Sequence, residues 1–168
     1  MYQEKNYGCD PSEYISQKWA FSMVDKCIVL EDDDVPSVSF FTFCKETLDK
    51  YEQDTRITMI AGFNNEEITP DVPYDYFFAS TFSIWGWASW KRVIDQWDEH
   101  YTFLEDKFNM QQLEQLIKER KFRKDFIYMC HRHKENNKAY YETIFHASML
   151  FNSGLAIVPT RNMINNLG

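Results

Sequence analysis

Apolar positions along this chain follow two alternating rhythms. Cys27, Ile28, Val29 and Leu30 form one short continuous apolar run, and Ile57, Met59, Ile60 and Ala61 form another around Thr58. Runs of that length predict strands buried on both faces, the habit of a parallel sheet. Between them Phe40, Phe43, Cys44, Thr47, Leu48 and Tyr51 recur at helical spacing. A helix opened by Ser37 or Ser39 is expected there. An earlier helix is expected over residues 10–23, with Asp10 as its cap, Pro11 in the first turn and Glu13 completing a capping box.

The second half has a different texture. Residues 64–74 are polar and hold two prolines, so a surface loop is expected, followed by a strand over 76–80. Gly86 sits among Trp85, Trp87 and Trp90. This reads as a tight turn running into a helix that reaches about Trp97. Residues 109–138 are charged, with Met110, Leu113, Leu116, Ile117 and Phe122 as an inward stripe, and predict one long helix. A last helix over 142–151 is closed by Asn152-Ser153-Gly154, and a last strand covers 155–159. Helices alternating with strands predict an α/β domain.

Composition narrows the function. The apolar share is 44%, which suits a globular core rather than a disordered chain. The net charge is −8, which repels phosphate backbones, so a nucleic-acid partner is not expected. A diphosphate can still bind if a divalent cation lies between it and the protein. No run is apolar enough to span a bilayer, and the first ten residues lack the apolar core of a signal peptide. A cytoplasmic chain without a transmembrane segment is expected. Cys9, Cys27, Cys44 and Cys130 share no paired spacing and are expected as free, buried thiols. Cys130-His131-Arg132-His133 has no partner pair elsewhere, so a charged helix explains it better than zinc. The basic stretch 118–124 reads first as a solvated helix face, and second as a contact for anionic lipid or an acceptor.

The chemical signal is Glu31-Asp32-Asp33-Asp34, directly after the first strand. In open α/β sheets, ligands collect outside the carboxyl ends of strands. Mg²⁺ and Mn²⁺ take oxygen ligands, commonly one or two carboxylates with phosphate oxygens. Four carboxylates this close repel one another, and a bound cation removes that repulsion. A solvated acidic turn is the alternative.

These acids, with Ile28-Val29-Leu30 before them and Pro36 and Phe40-Phe41 after them, resemble the metal-binding strand of GT-A glycosyltransferases. The likeness is to the N-acetylglucosaminyltransferase I-like group and to related bacterial nucleotide-diphospho-sugar transferases, some labelled hemolytic protein. Glu-Asp-Asp is that group's local form of the DxD motif. Met59-Ile60-Ala61-Gly62-Phe63-Asn64 resembles the group's next strand. The segment Phe82-Ser83-Ile84-Trp85-Gly86-Trp87-Ala88-Ser89-Trp90 resembles its Gly-Trp block. Tyr140-Tyr141-Glu142 and Gly154-Leu155-Ala156-Ile157-Val158-Pro159 resemble its closing block. The resemblance runs from about Asn6 to the C-terminus.

The resemblance implies a GT-A-like mixed sheet flanked by helices, with residues 1–168 forming a single partial domain. The base-binding strand, helix and strand that open such a domain are not supplied before Asn6. A histidine metal ligand that family members often carry would fall beyond Gly168. It implies a metal-dependent glycosyltransferase moving a sugar from a nucleotide diphospho-sugar, most simply a UDP-sugar, to a glycan or lipid-linked acceptor. Bacterial polysaccharide biosynthesis, in the cytoplasm or at the inner membrane face, would be the setting. Asp33 would bind Mn²⁺ or Mg²⁺, with Asp34 completing a literal DxD. Asp32 would contact the ribose or a metal-bound water, and Glu31 would orient the donor. Glu142 would be the base that deprotonates the acceptor, its alternative being a first-turn glutamate that complements the helix dipole. Trp85 and Trp87, around the Gly86 turn, would wall the acceptor sugar, their alternative being core packing. Two other functions compete: a non-catalytic GT-A-like binding module or remnant, and a metal-dependent phosphoryl-transfer or hydrolase domain.

Overall fold

The structure is a computed structural model and describes residues 3–168. Helix α1 spans Cys9–Met23 and follows Gly8, whose φ of 91° suits a residue without a Cβ. Asp10 lies inside the first turn rather than capping it. Tyr14, Gln17 and Phe21 are its buried residues, one stripe at three- and four-residue spacing. Strand β1 (Lys26–Val29) leads through the acids into the short β2 (Asp34–Pro36) and helix α2 (Val38–Lys50). Ser37 occupies the cap position of α2 without a side-chain cap bond, its hydroxyl pairing with that of Ser39 instead. Strand β3 (Ile57–Ala61) is buried at every residue, and β4 (Tyr76–Ala79) follows the expected loop.

The tryptophan segment departs from expectation. Trp87–Trp90 is a strand, β5, and only Lys91–Ile94 is helical, as the single turn α3. Small Ala88 and Ser89 between the tryptophans let this strand lie inside the sheet. The long charged helix is two. Helix α4 (Lys107–Leu116) and α5 (Arg120–Glu135) meet at an elbow, where the Glu119 carboxylate caps α5 through the backbone N–H groups of Lys121 and Phe122. Helix α6 (Tyr141–Phe151) ends through Ser153 at φ 52°, and Gly154 donates its N–H to the Met149 carbonyl. Strand β6 (Leu155–Pro159) has the expected bounds, and β7 (Ile164–Asn166) follows it.

The five-stranded sheet has the order β1-β5-β3-β6-β4. Only β3 and β6 pair in parallel; β1 with β5, β5 with β3, and β4 with β6 are antiparallel. The chain is therefore α/β with a mixed sheet rather than the parallel one its apolar runs suggest. β1 is an edge strand of intermediate burial, not a strand buried on both faces. Successive side chains of β5 alternate between faces. Trp87 packs against Phe21 of α1 and Tyr141 and Phe145 of α6, while Trp90 donates its indole N–H to the Leu48 carbonyl of α2. Helices thus flank both faces of the sheet. All four cysteines are free, as expected, but only Cys44 and Cys130 are buried; Cys9 is exposed.

Candidate functional site

Because β1 and β3 both run antiparallel to β5, their carboxyl ends lie at the same end of the sheet as the start of β5. The backbone is tight there. The Gly62 N–H donates to the Gly86 carbonyl at 2.7 Å, and a Cβ on Gly86 would stand 2.4 Å from Cδ1 of Ile164. Gly86 has φ 60°, so the turn needs glycine for its dihedral and for its space. Ser37 donates its N–H to the Met163 carbonyl, and Met163 to the Gly62 carbonyl. These bonds carry β7 across to pair with β2, Asp34 facing Asn166.

The acids form the turn between β1 and β2. Asp34 is expected as a metal ligand, and the structure gives it a positioning contact. One of its oxygens accepts from the Glu31 N–H at 3.1 Å and the other from the Asn166 amide at 3.3 Å. Asp32 projects into solvent. Asp33 is half-buried, and its Oδ1 is buried without a hydrogen-bond partner. The backbone after β7 closes over it, Leu167 donating to the Asp33 carbonyl at 3.0 Å. A buried acceptor left unpaired is costly. A hard cation with one or two carboxylate ligands satisfies it, the rest of its shell coming from phosphate and water oxygens. Among the described residues no three His, Cys, Asp or Glu side chains converge as a ready-made cage. Asp33 is thus the residue of the turn with a free buried oxygen for such a cation.

Glu31 reaches across to α6. It accepts a hydrogen bond from the Tyr141 hydroxyl at 3.0 Å, 110 positions away in sequence. Burial pushes the Glu31 carboxyl above the ordinary range, the Tyr141 bond pulls it back, and Glu13, Asp34 and Asp33 push it up again. Tyr141 is fully buried, stacked between Trp87 at 6.1 Å and Trp97 at 6.3 Å. Burial, with the neighbouring Glu31 and Glu142 charges, holds its hydroxyl strongly protonated.

Glu142 occupies the first turn of α6, beside Tyr141. Burial raises its carboxyl to about 7, with Glu13, Asp10 and Glu31 adding to the rise. Glu31 and Glu142 therefore belong to one acidic neighbourhood, completed by Asp10 and Glu13 of α1. In sequence those α1 acids offer only capping. Their place at the site shows only when α1 packs against β1 and α6.

The two expected acceptor tryptophans part company. Trp87 is 0% exposed and belongs to the core, so it cannot present a face to a sugar. Trp85 is half-buried and meets Phe63 edge to face at 4.7 Å. Beside Phe63 lies a cleft of about 330 Å³ lined by Asn65, Glu66, Phe77, Thr81 and Ser83 among others. Local spacing does not reveal it, because two loops and the strands β4 and β6 build it together. Cys130 is buried, while His133 stacks on Tyr140 at 3.7 Å with its Nδ1 2.9 Å from the Thr143 hydroxyl. Cys130 and His133 thus pack within the fold, while His131 and Arg132 are exposed. No helix among the described residues is long and apolar enough to cross a membrane. Compared with protein-family models and with curated proteins, the chain matches none of them.

Proposed function

We propose that this chain is the metal-binding and acceptor-activating part of a GT-A-type glycosyltransferase. It moves a sugar from a nucleotide diphospho-sugar, most simply a UDP-sugar, to a glycan or lipid-linked acceptor. The observation that carries this reading is the joined acid site. Asp33 holds an unpaired buried carboxylate oxygen at the end of β1, and Glu31 is tied through Tyr141 to the turn that presents Glu142. The acid turn after β1, the Gly62 turn after β3 and the Gly86 turn before β5, all in segments that resemble the N-acetylglucosaminyltransferase I-like group, lie at this end of the sheet.

Asp33 ligates Mn²⁺ or Mg²⁺ in this reading, and Asp34 holds the turn that aims it. A bound cation supplies charge neutralisation for the departing diphosphate. Asp32, exposed beside it, contacts the ribose or a metal-bound water, and Glu31 orients the donor. Glu142, with a carboxyl near 7, is poised to take the acceptor hydroxyl's proton. Trp85 and the neighbouring cleft hold the acceptor. The same proposal places the protein in the cytoplasm, peripheral at the inner membrane face, in polysaccharide biosynthesis.

Calorimetric titration with Mn²⁺, in the presence and absence of UDP, tests the reading. Cooperative binding of the two ligands is expected, with Asp33→Ala abolishing it. Mn²⁺ and UDP that bind independently of each other, or binding that survives Asp33→Ala, would exclude Asp33 as the ligand and leave the non-catalytic module as the better reading.

A further inference from the structure

The α4–α5 elbow concentrates positive charge on a chain whose net charge is −8. Lys118, Arg120, Lys121, Arg123 and Lys124 stand within seven residues, and the acid among them, Glu119, caps α5. Arg123 is committed to the elbow, donating to the Ile117 carbonyl at 2.8 Å. Lys118, Arg120, Lys121 and Lys124 are exposed, and none of them makes an ion pair among the described residues.

Apolar side chains stand among these cations. Phe122 is 43% exposed and Leu116 is 41% exposed. Both line a cavity of about 420 Å³ whose other walls include Met149, Leu150 and Leu155, with Lys118 at its edge. The cavity reaches Gly154 and Leu155, at the amino end of β6. The acid turn lies at the carboxyl end of β1, which runs the same way as β6. Cations and acids therefore occupy opposite ends of the sheet.

Phe122 packs one side against Phe126 and His146, and its exposed remainder opens with Leu116 and Lys118 onto the same cavity. Interfacial segments combine cations with exposed apolar groups, the cations reaching anionic headgroups and the apolar groups entering the acyl boundary. We propose that the α4–α5 elbow docks on an anionic lipid bilayer, with Lys118, Arg120, Lys121 and Lys124 on the headgroups and Leu116 and Phe122 beneath them. This inference deepens the membrane-face placement proposed above and rests on it, but not on the acid turn. Docking in this sense turns the acids away from a surface that would repel them, which suits the glycan rather than the lipid-linked acceptor of the two proposed.

Sedimentation of the full chain with vesicles tests it. Phosphatidylcholine vesicles containing about 30 mol % phosphatidylglycerol are expected to bind the chain at low salt and release it as salt screens the charges. Pure phosphatidylcholine is expected to bind far less. The double variant Lys121→Glu with Lys124→Glu is expected to lower affinity by about tenfold or more. Its thermal melt should be unchanged, since both side chains are exposed. Phe122→Ala is expected to weaken vesicle binding without altering its salt dependence. Equal binding to neutral and anionic vesicles, no binding to either, or full binding by the double variant would overturn the proposal. So would a short RNA that outcompetes the vesicles. Mn²⁺ titration of the same samples separates the two proposals, since the elbow variants leave the acid turn intact.

Discussion

Glu142 shows how burial of one carboxyl makes stability depend on pH. Its carboxyl titrates near 7 in the folded chain, against an ordinary value of 4.5, because burial penalises its charge. The folded state therefore holds this proton more tightly than the unfolded state. Its contribution to stability is greatest below the ordinary value, declines as pH rises through the interval, and is lowest above about 7. Glu142→Gln removes the penalty and should stabilise the chain at alkaline pH by about 1–3 kcal/mol. Chemical denaturation at pH 5 and pH 8 checks this, with the gain confined to the higher pH. If Glu142 is the base, sugar transfer should rise with pH through about 7 in the unaltered chain and be lost in the variant. A variant that is neither more stable at pH 8 nor less active would show that this carboxyl is ordinary.

At the scale of elements, the site depends on how strands are tied at one end of the sheet. Gly86 opens β5, lies under Ile164 of β7, and accepts the Gly62 N–H that closes β3. Gly86→Ala would force a Cβ to within 2.4 Å of Ile164 at a φ of 60°. A destabilisation of about 2–4 kcal/mol is expected from strain and displaced packing together. Because Ile164 leads into the pairing of Asn166 with Asp34, the same substitution should weaken Mn²⁺ binding if the acid turn holds the cation. Adding Ile164→Ala makes room for the new Cβ and should recover part of the stability. Denaturant melts of the single and double variants decide it, and a double variant no better than the single would disconnect the two residues. β5 itself escaped pattern reading for a reason visible here. Four residues are too few for a period to show, and tryptophans bracketing Ala88 and Ser89 resemble a turn as much as a strand. The elbow between α4 and α5 was hidden for a different reason. The apolar stripe continues across it through Leu116, Ile117 and Phe122, and only the Glu119 cap marks the break.

Across the whole molecule, burial decides which reactive groups are available. Cys44 and Cys130 are each 0% exposed, and burial pushes both thiols up to about 12. Cys9 is exposed, but the adjacent Glu13 carboxylate raises it to about 11, which keeps it a poor nucleophile. An aromatic disulfide reagent should therefore label Cys9 slowly in the native protein, and Cys44 and Cys130 only as the fold opens. Peptide mapping with and without denaturant checks this. Native labelling of Cys44 or Cys130 at the rate of the unfolded chain would mean that the core around α2 and α5 is not closed.

The sequence by itself determined the parts that depend on neighbours along the chain. The bounds of β6, the buried face of α2, the α/β alternation and the position of the acids after β1 are written in local spacing and composition. Tertiary structure alone decided what depends on distant residues. Only packing could bring Tyr141 to Glu31, draw Asp10 and Glu13 beside Glu142, and lay β7 over Gly86 to pair with β2. It likewise buried Trp87 fully and left Trp85 half-buried, although the two are equally apolar and flank the same glycine. The physical reason is that a residue's type sets its preference for water, while its neighbours across the sheet decide whether water can reach it.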